Sequence, residues 1–203
     1  MCLLVESIKI KDGIVYDIEY HNRRMNETRF ALFGAEDSIN LAEQIIIPET
    51  FSKGLVKCRV LYNLGVRSVE FQNYSFRKVE EISLITDDEI DYTFKYADRK
   101  KLEYYANQVA PAIPLFVKNN RITDTSWANI VLYDGTIYST PAFPLLKGTK
   151  REKLIQQKRI IEEDIKIDQL VNYNSLFIIN AMIDLEDNIG VPISKIKRVI
   201  NEI

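Results

Sequence analysis

The sequence is poor in the residues that build metal centres and disulfide frameworks. Its 203 residues include one histidine, His21, and two cysteines, Cys2 and Cys58. Multi-histidine metal sites are excluded and a closed zinc site lacks ligands, so no metal is expected. A Ser-His-Asp or Cys-His hydrolase would have to be built on His21 alone. The two thiols, far apart in sequence, read as buried cysteines of a reducing compartment. Glycine and proline, 7 and 6, are too few for a low-complexity chain. Neither sign of charge is in excess: 27 basic and 29 acidic residues leave a net charge of −2. A polybasic surface is not implied, and nucleic acid is not an expected partner. No apolar run nears the ~18 residues that span a bilayer. The start, Met1-Cys2-Leu3-Leu4-Val5-Glu6, lacks the basic region of a signal peptide and soon meets an acid. The expectation is a cytoplasmic protein with no membrane partner.

What is present is the makings of a core. Hydrophobic residues are 46% and charged ones 28%, which excludes disorder and suits one large or two small domains. Any chemistry then falls to Lys, Asp, Tyr or a cofactor. The runs Leu3–Ile10 and Ile14–Ile18 flank Asp12-Gly13, a hairpin signal. Helical spacing follows from His21 to Phe33, with Gly34 as a stop, and a weaker helix over 38–44. Leu55–Tyr62 and Arg67–Phe76 read as strands. The acidic segment around Asp87-Asp88-Glu89 marks a domain boundary, giving units 1–86 and 87–203. Beyond it a helix is predicted over Asp98–Val109 and strands over 115–118, 128–133 and 136–138. A helix begins near Thr149, an apolar strand covers Ser175–Met182, and a last helix covers Ile193–Ile203. The class is α+β.

Four constellations carry chemistry, each with an ordinary reading beside it. In Leu146-Lys147-Gly148-Thr149-Lys150-Arg151-Glu152, Thr-x-x-Glu is a capping-box pattern. It reads as a plain capped helix or as an anion site at a helix start. Asp124, set among Thr123, Thr125 and Ser126, reads as a turn residue or as a carboxylate for a cationic ring nitrogen. Lys95 lies between Phe94 and Tyr96; it is a solvated lysine or, packed against apolar neighbours, a nucleophile of depressed pKa. His21 and Arg24 share a helical face, either as a solvated helix start or with Arg24 as a phosphate clamp.

Together, in this order and spacing, these motifs resemble the fold-type IV pyridoxal-phosphate enzymes, the class IV aminotransferase family. The resemblance begins at Val5-Glu6-Ser7-Ile8 and His21-x-x-Arg24-Met25. It is strongest from Asp124 through Asn129-Ile130-Val131 and Tyr138-x-Thr140-Pro141 to Leu146-x-Gly148-x-x-Arg151. It implies a D-amino-acid aminotransferase-like fold with a shortened N-terminal domain, a pseudo-barrel C-terminal domain, and pyridoxal 5'-phosphate in the cleft between. It also implies a homodimer and a small-molecule amino substrate. By position, Lys95 is the Schiff-base lysine that shuttles the proton, and Asp124 the acid on the pyridinium nitrogen. Arg24 falls on the phosphate, Gly148, Thr149 and Lys150 on the turn whose amides hold it, and Asn129 beside the ring or its loop. Asp124 stands where the family usually has Glu, and Asn180-Ala181-Met182 where many members have a Ser/Thr pair. The compact chain resembles the lyase-like members. The expected activity is therefore that of 4-amino-4-deoxychorismate lyase, eliminating pyruvate to leave 4-aminobenzoate. The alternatives are an aminotransferase for a branched-chain or D-amino acid, and a non-catalytic relative.

Overall fold

The computed structural model describes residues 1–198. Two compact units divide them: 1–76 with 94–98, and 77–93 with the chain from 99 onward.

The first unit is a four-stranded antiparallel sheet under a helix. β1 (Leu4–Lys11) turns at Asp12-Gly13 into the short β2 (Ile14–Val15) and pairs along its length with β3 (Leu55–Tyr62), which pairs with β4 (Val66–Asn73). Period-two alternation explains the core face. Leu4, Ile8 and Ile10 lie opposite Tyr62, Cys58 and Val56, all fully buried. Each buried aliphatic contributes about 1.5–3 kcal/mol. Glu6, opposite Val60, lies on that apolar face and is fully buried too. α1 (Ile18–Phe33) begins earlier than expected, so Ile18 belongs to a helix rather than to a strand. It stops at Gly34, whose φ of 67° is a left-handed conformation that glycine adopts without strain. Its buried residues, His21, Met25, Thr28 and Arg29, recur at helical spacing. Arg29 bonds the Leu64 carbonyl and the Asp37 carboxylate. The weaker helix shrinks to α2 (Leu41–Gln44), capped by the Asn40 side chain. Residues 94–98 complete the unit, as the Lys95 carbonyl accepts from Val5 N–H and Ala97 N–H donates to the Leu3 carbonyl, both at 2.9 Å.

The second unit holds two sheets. β5 (Ile82–Thr86) is followed by α3 (Lys100–Val109), β6 (Ile113–Lys118), β7 (Arg121–Thr125), β8 (Asn129–Tyr133) and β9 (Tyr138–Pro141). Then come α4 (Thr149–Gln156), β10 (Ile161–Glu163), β11 (Ser175–Ile179), β12 (Gly190–Pro192) and β13 (Ile196–Arg198). One sheet has the order β13-β5-β6-β7 and the other β10-β9-β8-β11-β12. Val131, Leu154, Ile160, Ile179 and Leu185 form a core behind the second.

Several expectations need correction. The helix predicted over 193–203 is absent: 193–195 form a single 3-10 turn and 196–198 a strand on β5, while 199–203 lie outside the described residues. The acidic segment at 87–91 lies within the second unit, immediately after β5. Cys58 is buried, but Cys2 is exposed. Among the described residues no helix is long and apolar enough to cross a membrane.

Candidate active site

The first unit concentrates charge around Glu6. Its Oε2 accepts from His21 Nδ1 at 2.6 Å, its Oε1 from Arg24 Nε at 2.8 Å, and Arg24 Nη2 closes the fork on Oε2. Helix α1 supplies both partners from adjacent turns and β1 supplies the carboxylate. Burial alone would raise the Glu6 carboxyl, but the Arg24 charge and the hydrogen bonds from His21 and Arg24 hold it at about 2. Glu6 is thus ionised at neutral pH and can only accept, so His21 carries its proton on Nδ1. Burial, opposed by Glu6, keeps the His21 imidazole below its ordinary value. Its Nε2 is buried with no hydrogen-bond partner among the described residues. Lys95 is half-buried, flanked by the edge-to-face rings of Phe94 and Tyr96 with centroids 6.1 Å apart. Its backbone is tied to β1 one residue before Glu6, and its charge helps to lower the His21 pKa. The structure therefore brings Glu6, His21 and Arg24 into direct contact and places Lys95 close by.

The second unit gathers Asp124, Asn129 and the turn at 145–150. Asp124 lies in β7, a strand where a turn was one expectation. The strand tolerates its polar run because Thr123 Oγ1 donates to the Phe116 carbonyl and Thr125 Oγ1 to that of Ala128. Both Asp124 oxygens are engaged. Asn129 Nδ2 donates to Oδ1 at 2.8 Å and Leu146 N–H to Oδ2 at 2.9 Å. Burial nonetheless pushes the Asp124 carboxyl up to about 6, against those two donors and the Arg151 charge. Asn129 Nδ2 also donates to the Leu146 carbonyl at 2.8 Å. Its Oδ1 lies 1.9 Å from where a Cβ on Gly148 would stand, so only glycine fits there.

The capping box does not form. Gly148 is the N-cap of α4, with no side-chain cap, and its carbonyl takes the Glu152 N–H at 3.0 Å. Thr149 and Lys150 are the first, buried residues of α4. The Lys150 ammonium is paired with Asp184, and Arg151 bonds the Pro141 carbonyl and Glu162 at 2.8 and 2.6 Å. Asn180 accepts from the Met182 and Ile183 amides at 2.8 and 3.1 Å, a turn that carries the chain to Asp184.

Two members of these groups escaped the sequence reading of sites. Glu6 was visible as an acid in phase with Leu4, Ile8 and Ile10; Asp184 carried no signal.

Residues 92–189 match the family model described as amino-transferase class IV. An uncharacterised protein of Haemophilus influenzae is 31% identical over 182 residues, which are 88% of this chain and 97% of that protein. The crystal structure of a candidate 4-amino-4-deoxychorismate lyase from Haemophilus somnus 129PT superposes with a TM-score of 0.84 at 28% identity. That superposition covers 90% of this chain and 97% of the other. A hypothetical aminotransferase from Mycobacterium tuberculosis, in its PLP-bound form, shares the fold with a TM-score of 0.72 at 12% identity, over 96% of this chain and 81% of the other. The fold is thus that of the fold-type IV enzymes, and the chain belongs to the class IV aminotransferase family.

Proposed function

We propose that the protein is a pyridoxal 5'-phosphate-dependent 4-amino-4-deoxychorismate lyase that eliminates pyruvate to leave 4-aminobenzoate. The observation that carries this reading is the likeness to the Haemophilus somnus candidate lyase, which matches nearly the whole of both chains. An aminotransferase acting on a branched-chain or D-amino acid is the second reading, favoured by the family description of residues 92–189.

The donor set suits the cofactor. Pyridoxal phosphate needs an anion site, an acid for its ring nitrogen and a lysine. The chain offers Arg24, a buried carboxyl at Asp124, and Lys95. It also offers a helix start at Gly148–Lys150, where no Cβ fits the capping position. Arg24 and the α4 amides would hold the phosphate. Asp124 would face the ring nitrogen, with Asn129 keeping that carboxyl in place. A cation beside Asp124 would draw its pKa back down and keep the carboxylate ionised. Lys95 would take the proton from the substrate α-carbon and hand it on. The bound cofactor supplies an electron sink for the carbon that loses the proton. A homodimer in the cytoplasm completes the reading.

The test is an absorption spectrum of the purified protein with added pyridoxal phosphate, followed by product analysis. A visible band with 4-aminobenzoate formed from 4-amino-4-deoxychorismate is the expected result. Pyridoxamine phosphate accumulating with an amino acid, and no 4-aminobenzoate, overturns the lyase in favour of the aminotransferase. A protein that stays colourless overturns both and leaves a non-catalytic relative.

A further inference from the structure

Glu6 is unfavourable where it stands. A carboxylate on the buried face of β1, in phase with Leu4, Ile8 and Ile10, costs desolvation that a leucine there would not. A buried ion pair of this kind is weak evidence for stability and better evidence for geometry. The geometry is specific: one carboxylate meets three donors from two side chains, both on α1. Arg24 is otherwise a long side chain with many rotamers, only 15% exposed, on the helix face over β1.

We propose that Glu6 is a positioning residue for the anion-binding arginine: it fixes the guanidinium of Arg24 through Nε and Nη2 and fixes His21 as the Nδ1–H tautomer. The inference rests on the reading that Arg24 meets the cofactor phosphate, and it assigns Glu6 and His21, which that reading leaves without roles. Arg24 then meets its anion already oriented, so ordering it costs no binding energy. His21, neutral and buried, bonds Glu6 without adding a second positive charge beside it. Its Nε2 is left as an unprotonated acceptor.

Substitution by glutamine is diagnostic because of the three donors. Glutamine offers one oxygen where Glu6 offers two. Whichever way its amide turns, an N–H faces either Arg24 Nε or the Arg24 Nη2 and His21 Nδ1 pair. Aspartate keeps the charge and both oxygens but falls one methylene short.

The experiment compares pyridoxal 5'-phosphate with pyridoxal, which lacks the phosphate, on the wild type, Glu6→Gln and Glu6→Asp. Affinity for the phosphorylated compound should fall roughly tenfold to a hundredfold in Glu6→Gln, the effect of removing one charge-assisted hydrogen bond. Affinity for pyridoxal should be unchanged, and Glu6→Asp should recover part of the loss. Equal losses for both compounds, or no loss for either, overturn the proposal. The second measurement is nitrogen NMR of the wild type, where His21 is the one histidine in the chain and gives the only imidazole signals. Protonated Nδ1 with bare Nε2 is expected; a proton on Nε2 overturns the proposal even if Glu6→Gln fails to fold. A wild type that binds neither compound overturns the functional reading instead, whatever the tautomer.

Discussion

Gly148→Ala tests the group in the second unit by adding a single carbon. The backbone at Gly148 has φ of −73°, which alanine adopts without strain, so any cost comes from space. The new methyl would lie 1.9 Å from Asn129 Oδ1 and 3.1 Å from its Cγ. The Asn129 amide must swing away, and in doing so it releases Asp124 Oδ1 and the Leu146 carbonyl, each held at 2.8 Å. One of these bonds is to a buried carboxyl and one to a part-buried carbonyl. Their loss should destabilise the second unit by about 2–4 kcal/mol. Urea unfolding at neutral pH measures this, with Gly65→Ala as the control. A methyl on Gly65 would have nothing within 4 Å, and the backbone there has no positive φ, so this variant should stay within about 0.5 kcal/mol of wild type. The double substitution separates clash from other causes. Asn129→Ala removes the same two bonds and vacates the space, so adding Gly148→Ala to it should cost little more. Strict additivity, or an unfolding midpoint for Gly148→Ala equal to wild type, would refute the argument.

Lys95→Ala should abolish the link to pyridoxal phosphate that borohydride makes permanent while still allowing the cofactor to bind; peptide mass spectrometry that maps the reduced adduct to another lysine counts against it. Arg24→Ala should weaken cofactor affinity by about 1.5–3 kcal/mol and also lower the stability of the first unit, because Glu6 loses both Arg24 donors and the charge that faces it; unchanged affinity in a titration removes Arg24 from the phosphate. Asp124→Asn should leave the cofactor bound but slow turnover ~10²–10³-fold, by analogy with removing a hydrogen bond made in the transition state; full turnover makes Asp124 structural only. The same variant reads pH dependence. The Asp124 carboxyl is raised from 3.8 to about 6, so its ionisation costs stability that is absent below 3.8 and complete above 6. The stability difference between wild type and Asp124→Asn should therefore change between those values, and a difference constant with pH contradicts it. Glu6 runs the other way: held at about 2 against 4.5, it stabilises fully above 4.5 and loses that contribution as pH falls toward 2. Unfolding of Glu6→Gln should be less acid-sensitive than wild type across that range.

The sequence made the first unit legible wherever periodicity was undisturbed. The hairpin at Asp12-Gly13, the stop at Gly34 and the strand Leu55–Tyr62 could be read because apolar spacing and turn residues agreed there. β7 was harder, since Thr123, Asp124 and Thr125 are polar in composition and are buried in a strand because the two hydroxyls donate to the Phe116 and Ala128 carbonyls and the carboxyl accepts from Asn129 and Leu146. The C-terminal helix was misread because Ile193, Ile196 and Ile200 fit helical spacing equally well, while pairing with β5 decided for a strand at 196–198. In the candidate site, residue types were legible and bonds were not. Thr149 and Glu152 satisfy a capping pattern, yet Gly148 takes the cap because Asn129 packs over it. Likewise Arg24 was legible as a cation, while its anchoring by Glu6 required the sheet and the helix together.

The return of residues 94–98 to the first unit has a consequence for how the protein can be cut and made. The chain leaves that unit after 76, contributes β5 to the second, and comes back to lay Lys95 and Tyr96 beside the start of β1. A fragment ending anywhere before 95 would leave both the Val5 amide and the Leu3 carbonyl without the partners they have here. On the ribosome, the first unit therefore cannot close until β5 has already been synthesised. An expression fragment of the first unit would have to supply 94–98 through a new linker across the excised 77–93, and Lys95 would travel with it.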